Sequence, residues 1–157
     1  MNLFLVNFLL ALIWAAIIGH FSLFNLGVGF GLAYLVLLTA RPALRDTRYF
    51  LKARQFAVFT LIFFREMIVS SLRVLYDVIT PFEHSRPGVI GIPLDATTDL
   101  EITLLANVIT LTPGTLSLDL SPDRTTLYIH AMFIDEPDAL RREIKENLER
   151  PLLELMR

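Results

Sequence analysis

The chain contains no cysteine, which excludes disulfides, thiolate metal sites and cysteine nucleophiles and leaves its redox compartment open. Its three histidines, at positions 20, 84 and 130, are too scattered to pair as metal ligands. His130 falls in a strand-like segment, where a packed imidazole is expected rather than a catalytic base. There is no Gly-rich phosphate loop, no HExxH helix and no nucleophile elbow. The sequence therefore predicts no enzyme, with no catalytic, cofactor-binding or metal-ligating residue. Charge is missing from two long runs, Leu3 to Ile18 and Phe21 to Ala40. No basic residue precedes the first run, as a secretory signal peptide would require.

What is present is apolar surface in excess. Of 157 residues 54% are hydrophobic, and the mean hydropathy is +0.57. Both are above what a soluble surface tolerates, so part of the chain is expected to face lipid. The two uncharged runs each approach the roughly 20 apolar residues that cross a bilayer core of about 30 Å. With only Gly19-His20 between them, residues 1 to 40 are expected to form a transmembrane helical hairpin. Arg41, Arg45, Arg48, Lys52 and Arg54, opposed only by Asp46, follow directly. Positive charge beside a span marks the cytoplasmic side, so the N-terminus is expected to be cytoplasmic too, in a multi-pass protein of the cell membrane. Neither run holds an Asp, Glu, Lys, Arg or His, whereas a proton or sodium path needs such groups facing its interior.

Small residues recur at helical spacing in both runs. Ala11, Ala15 and Gly19 lie four apart, as do Gly27 and Gly31, with Gly29 between them. Faces of this kind let helix backbones approach closely in lipid. They fit packing of the two limbs on each other, or docking of one face on another membrane subunit.

Residues 41 to 80 form a basic loop and a long helix of divided character. Phe56 to Phe64 is apolar all round; then Glu66, Ser70, Arg73 and Asp77 recur at spacings of four, three and four, along one helical face. The helix is either a third crossing whose polar stripe faces protein or an amphipathic helix at the cytoplasmic interface. Mid-span charges cost about 2.5 to 3.5 kcal/mol each, which favours the interface. Arg73 and Asp77 have the spacing of an ion pair, whereas Arg65 and Glu66, as neighbours, are expected to point apart. Glu66 and Arg73 join the candidate subunit-interface residues.

Charge divides the chain. Residues 1 to 79 hold seven Lys/Arg against three Asp/Glu, net +4; residues 80 to 157 hold seven against thirteen, net −6. An acidic domain of that balance is a poor nucleic-acid partner. From Pro81 onward, residues 81 to 157 read as a small cytoplasmic α+β domain in the order strand, helix, strand, strand, helix. Thr98 with Glu101 fits a capping box, which explains Asp95, Asp99 and Glu101 better than a metal site. The helix is expected to bury Leu100, Leu104 or Leu105, and Val108, and to stop before Pro113. In Thr112-Pro113-Gly114-Thr115, Pro113 and Gly114 make a structural turn. Leu116, Leu118 and Leu120 then alternate with polar residues and are expected to enter the core. Thr125 to Ile134 is apolar on both faces, as a central strand covered on both sides, or on one by a partner, would be. A last helix carries Leu140, Ile144, Leu148, Leu152 and Leu155 as its core stripe, with Arg141, Arg142, Glu143, Lys145, Glu146 and Glu149 on a solvated surface.

Residues 93 to 132, PLDATTDLEITLLANVITLTPGTLSLDLSPDRTTLYIHAM, followed by DEPDALRREIKENLER, resemble the E subunit of the multisubunit Na+/H+ antiporters of the Mrp (Mnh, Pha) type. The N-terminal hairpin agrees in length and position. The resemblance implies a prokaryotic inner-membrane complex that exports Na+ on the proton motive force for pH and sodium homeostasis. In such complexes the large subunits carry the ion paths, and the small one that this chain resembles is accessory. Expected partners are the other antiporter subunits and the lipid bilayer, with no nucleic acid and no cofactor. The residues also fit a different class, a membrane-tethered regulatory or ligand-sensing module of a transporter.

Overall fold

The computed structural model describes residues 2–44, 48–80 and 85–157. Expectations that fall on Arg45, Asp46, Pro81 and His84 lie outside the described residues. The chain divides into two compact units, Met1–Arg54 and Gln55–Arg157.

The first unit is a helical hairpin. Helix α1 (Leu3–Ile18) is capped by Asn2, whose side chain accepts the Phe4 amide, and ends where Gly19 takes φ 75°, a left-handed conformation that glycine adopts without penalty. Helix α2 (Leu23–Thr39) starts at Ser22, whose hydroxyl accepts the Asn25 amide at 3.1 Å. Asn25 Nδ2 donates in turn to the His20 carbonyl at 3.0 Å, tying the reversal. A 3-10 turn (Arg41–Ala43) and the first turns of α3 (Arg48–Ile79) complete the unit. Leu3, Leu37 and Phe50 are buried together, with Tyr34 and Tyr49 against them. Asn7, fully buried, donates to the Tyr49 hydroxyl at 2.6 Å.

Among the described residues no helix is long and apolar enough to cross a membrane. This corrects the expectation of two full-length crossings. Helices of 16 and 17 residues rise about 24 and 26 Å at 1.5 Å per residue, against a hydrocarbon core of about 30 Å. Helix α1 coincides with the first uncharged run, and the Ser22 cap trims the start of the second.

The second unit holds most of α3 and an α+β fold. Strands β1 (Gly88–Pro93), β2 (Thr115–Leu120) and β3 (Thr126–Ala131) form an antiparallel sheet in the order β1-β3-β2, with β3 central. Helix α4 (Asp99–Leu111) lies between β1 and β2 in sequence. A C-terminal segment of α5 (Pro137–Ile144), a π turn (Lys145–Glu149) and α6 (Arg150–Met156) follows β3. One sheet face supplies Ile90, Ile92, Leu127 and Ile129 to a core closed by Leu105, Ile109, Ile144, Leu148 and Leu152. Each such side chain contributes roughly 1.5 to 3 kcal/mol by leaving water.

Two expected core faces are met only in part: Leu105 and Val108 of α4 and Leu120 of β2 do pack in the core. Helix α4 buries Ile102, Leu105 and Ile109, whereas Leu100 is 62% exposed and Leu104 is also exposed. The capping box turns Glu101 inward, and the buried stripe follows in phase with it at Ile102. In β2, Leu116 and Leu118 face outward and only Leu120 packs against the core. Thr115 and Ser117 take the inner side because their hydroxyls satisfy α4 carbonyls, Ser117 donating to Ala106 at 3.0 Å. A bulge between Ser117 and Asp119 then shifts the register and returns Leu120 inward.

The charged side of the C-terminal helix is solvated only in part: Arg142, Glu143 and Glu146 are exposed as expected, whereas Arg141 and Lys145 are half-buried and Glu149 is buried. Pro151 has no N–H for the carbonyl four residues back, at Asn147, and the preceding turn is widened, with the Arg150 amide bonding to the Lys145 carbonyl. Glu149 is brought inside, 1% exposed, and accepts the Asp95 and Ala96 amides at 2.6 and 3.0 Å. Arg141 and Lys145 reach the outer edge of β1, donating to the Gly91 and Pro93 carbonyls at 2.9 and 2.7 Å.

Candidate subunit-interface sites

The small residues of the hairpin divide into a closed set and an open one. Ala11 and Ala15 are buried in the seam between α1 and α2. A Cβ added at Gly29 would meet Trp14 Cδ1 at 2.8 Å and the Ala11 carbonyl at 3.1 Å, so Gly29 is the point of close approach. Gly19 serves the turn. A Cβ at Gly27 or Gly31 would meet nothing within 4 Å, and both face outward. The seam of α2 thus runs through Gly29, Ala33 and Leu37, all buried. Spacing singles out Gly27 and Gly31 and not the Gly29 register that the seam uses.

The structure brings together Glu66, Arg73, Pro113 and Gly114, although they are far apart in sequence. With Ser70, Thr112 and Thr115 they line a cavity of about 50 Å³ between α3 and the end of α4. That volume holds a few waters at most. Glu66 is buried, and its Oε1 accepts from Asn147 Nδ2 at 3.3 Å and from Arg65 Nη1. The Arg65 contact corrects the expectation that these neighbours point apart: the long guanidinium stem curls back to a carboxylate one residue on. Arg73 lies over the Phe133 ring, 6.0 Å from its centroid. Among the described residues no group of three or more His, Asp or Glu side chains is placed to hold a metal ion.

The threonines around the turn satisfy carbonyls that a helix end leaves orphaned. Thr112 and Thr115 both donate to the Ile109 carbonyl, at 2.5 and 2.6 Å, and Thr110 Oγ1 accepts the Ser117 amide at 3.1 Å. Gly114 has φ 85°, and its Cα hydrogen points toward Val74 of α3.

The α3 stripe is thereby oriented. Glu66, Ser70 and Arg73 face the α+β fold, whereas Leu61, Phe64, Ile68, Leu72, Leu75 and Ile79 form an exposed apolar stripe on the other side.

The sequence places Glu101 in its capping box without its burial and leaves Glu149 on the solvated face, yet both are buried. Glu101 closes the capping box with Thr98, accepts the Thr97 and Thr98 amides at 2.9 and 3.1 Å, and receives Arg157 at 2.9 Å. The Arg157 hydrogen bond, helped by those amides, holds its carboxyl at about 2. Lys145 lies 2.9 Å from Asp95 and 3.2 Å from Glu149; burial opposes its charge, but those two acids outweigh it and raise its pKa. Only the capping spacing signalled Glu101, and nothing local signalled Glu149.

The family model described as a Na+/H+ ion antiporter subunit matches residues 7–155. The Na+/H+ antiporter E subunit of Alkalihalophilus pseudofirmus is 34% identical over 153 residues, covering 96% of each chain. That of Bacillus subtilis is 35% identical over 153 residues, covering 98% of this chain and 97% of the relative. Among solved structures, a chain of an archaeal respiratory membrane complex, the membrane-bound sulfane sulfur reductase, is similar with a TM-score of 0.55 and 21% identity, over 99% of this chain and 98% of that one. At that identity the likeness concerns the fold alone.

Proposed function

The chain belongs to the family of Na+/H+ antiporter E subunits, and from that premise we propose that it is an accessory component that supports assembly of a cation/proton antiporter complex without carrying its ion path. It is a transporter component and not an enzyme. Its partners are the other subunits of the complex and the bilayer.

The observation that carries the accessory role is the distribution of charge. Helices α1 and α2 contain no Asp, Glu, Lys, Arg or His side chain, and the buried Asn7 amide nitrogen donates to Tyr49. A path for ions through that hairpin has nothing to relay them. The cavity beside Glu66 has room for a few waters only.

In this reading the hairpin sits in the membrane among other subunits. Limbs this short are accommodated by local thinning of the bilayer or by association with neighbouring helices. Helix α3 lies at the cytoplasmic interface: its polar stripe is engaged by the α+β fold and its apolar stripe is turned away from it, an arrangement suited to the headgroup region and not to a span. The acidic domain is then cytoplasmic. Deleting the chain from the cell and quantifying the remaining subunits in solubilised membranes tests the role. The assembled complex should fall sharply; undiminished assembly would refute it.

A further inference from the structure

The α+β fold covers one face of its sheet and leaves the other open. On the open face Val89 and Leu116 flank His130 as direct cross-strand partners, and Tyr128 lies two residues on, opposite the β2 bulge. Val89, Leu116, Leu118 and Tyr128 are exposed by 43 to 59%. The face is flat where Tyr128 crosses β1, because a Cβ at Gly91 would stand 3.4 Å from its ring. The bulge gives Asp119 and Tyr128 a paired register and sets an exposed carboxylate beside Leu118. Asp119 Oδ1 accepts the Leu120 amide at 2.8 Å, and a carboxylate has acceptor capacity well beyond one such bond.

Charge selects the occupant. Residues 80 to 157 carry net −6. An anionic membrane surface repels such a domain, and so does a second copy of it. Cytoplasmic loops of integral membrane proteins carry an excess of Lys and Arg. We infer that the open sheet face of Val89, Leu116, Leu118, Asp119, Tyr128 and His130 docks a basic cytoplasmic loop of a neighbouring membrane protein of the complex. An apolar anchor of the loop lies across Leu116 and Tyr128, and a Lys or Arg pairs with Asp119. Tyr and Arg are enriched among the few residues that carry most binding energy at interfaces, and charge complementarity selects the partner. The inference rests on the cytoplasmic placement and complex membership proposed above.

The test is photocrosslinking in membranes of cells that make the whole complex, with p-benzoylphenylalanine at position 116 and, as a control on the far side of the fold, at position 146. Position 116 should yield an adduct, identified by mass spectrometry, with a Lys- or Arg-rich cytoplasmic loop of another subunit; position 146 should not. Asp119→Lys should reduce that adduct about tenfold or more while leaving the Tm of the chain unchanged. Adducts with lipid only, with a second copy of the chain or with an acidic segment would overturn the inference, as would an Asp119→Lys chain that crosslinks undiminished. If the chain still co-purifies with the antiporter subunits in those cases, the surface is wrong and the accessory role stands. If it co-purifies with none, both fall.

Discussion

Arg157 Nε lies 2.9 Å from Glu101 Oε1, so the last residue of the chain is tied to the first turn of α4. Glu101 is held at about 2 against an ordinary 4.5. A carboxyl whose pKa is lower folded than unfolded stabilises the fold above the unfolded value, and that stability is lost as pH falls through the folded one. The wild-type chain in detergent should therefore lose this contribution between about pH 4.5 and about pH 2. Glu101→Gln should be less stable at pH 7 and show a shallower dependence in that window. Thermal unfolding against pH checks this, and an unaltered profile would show that the pair contributes nothing.

Glu149 should matter more than its place in a charged helix suggests. Replacing it by Ala leaves the Asp95 and Ala96 amides without their acceptor and Lys145 beside an unbalanced pocket. The expected cost is about 3 kcal/mol. Denaturant unfolding of the variant would measure it, and a loss within error of zero would mean that water replaces the carboxylate.

The glycines of α2 should separate by face. Gly29→Leu should open the seam against Trp14 and lower the Tm of the chain by roughly 5 °C. Gly27→Leu with Gly31→Leu should leave the Tm alone and reduce co-purification of other subunits. Unchanged co-purification would remove the open glycine face from the interface.

Gly114→Val should cost assembly before it affects ion selectivity. A β-branched residue at φ 85° is strained by roughly 1 to 3 kcal/mol, at a turn that also faces Val74 of α3. Blue native electrophoresis of the variant complex reads the first effect, and Na+ against K+ exchange in vesicles the second.

A single cysteine at Ser85 tests topology without background, because the chain has none of its own. A membrane-impermeant maleimide should reach it only from the cytoplasmic side. Labelling of intact cells from outside would make α3 a crossing.

Much of the fold was legible where the cause is local. The Thr98 to Glu101 box, the helix stop ahead of Pro113 and the αL turn at Gly114 follow from short-range backbone chemistry. The rest depends on groups distant in sequence. Alternation in β2 marks two faces without saying which is covered, and the hydroxyls of Thr115 and Ser117 decided it by finding α4 carbonyls. Glu149 looked solvated because its partners lie 53 and 54 residues away. In the hairpin the residue types were visible, but only packing against Trp14 distinguishes Gly29 from Gly27 and Gly31. The gathering of Glu66 and Arg73 beside Pro113 and Gly114 was invisible for the same reason.

The most direct test of the central claim is the exchange rate per assembled complex, measured after purification and reconstitution with wild-type chain or with Glu66→Gln, Arg73→Gln. These are the two charged α3 groups that line the cavity beside Gly114. An accessory role predicts fewer complexes from the variant, each exchanging Na+ for H+ at the wild-type rate. Full assembly with exchange lost would contradict it and put this chain on the ion path.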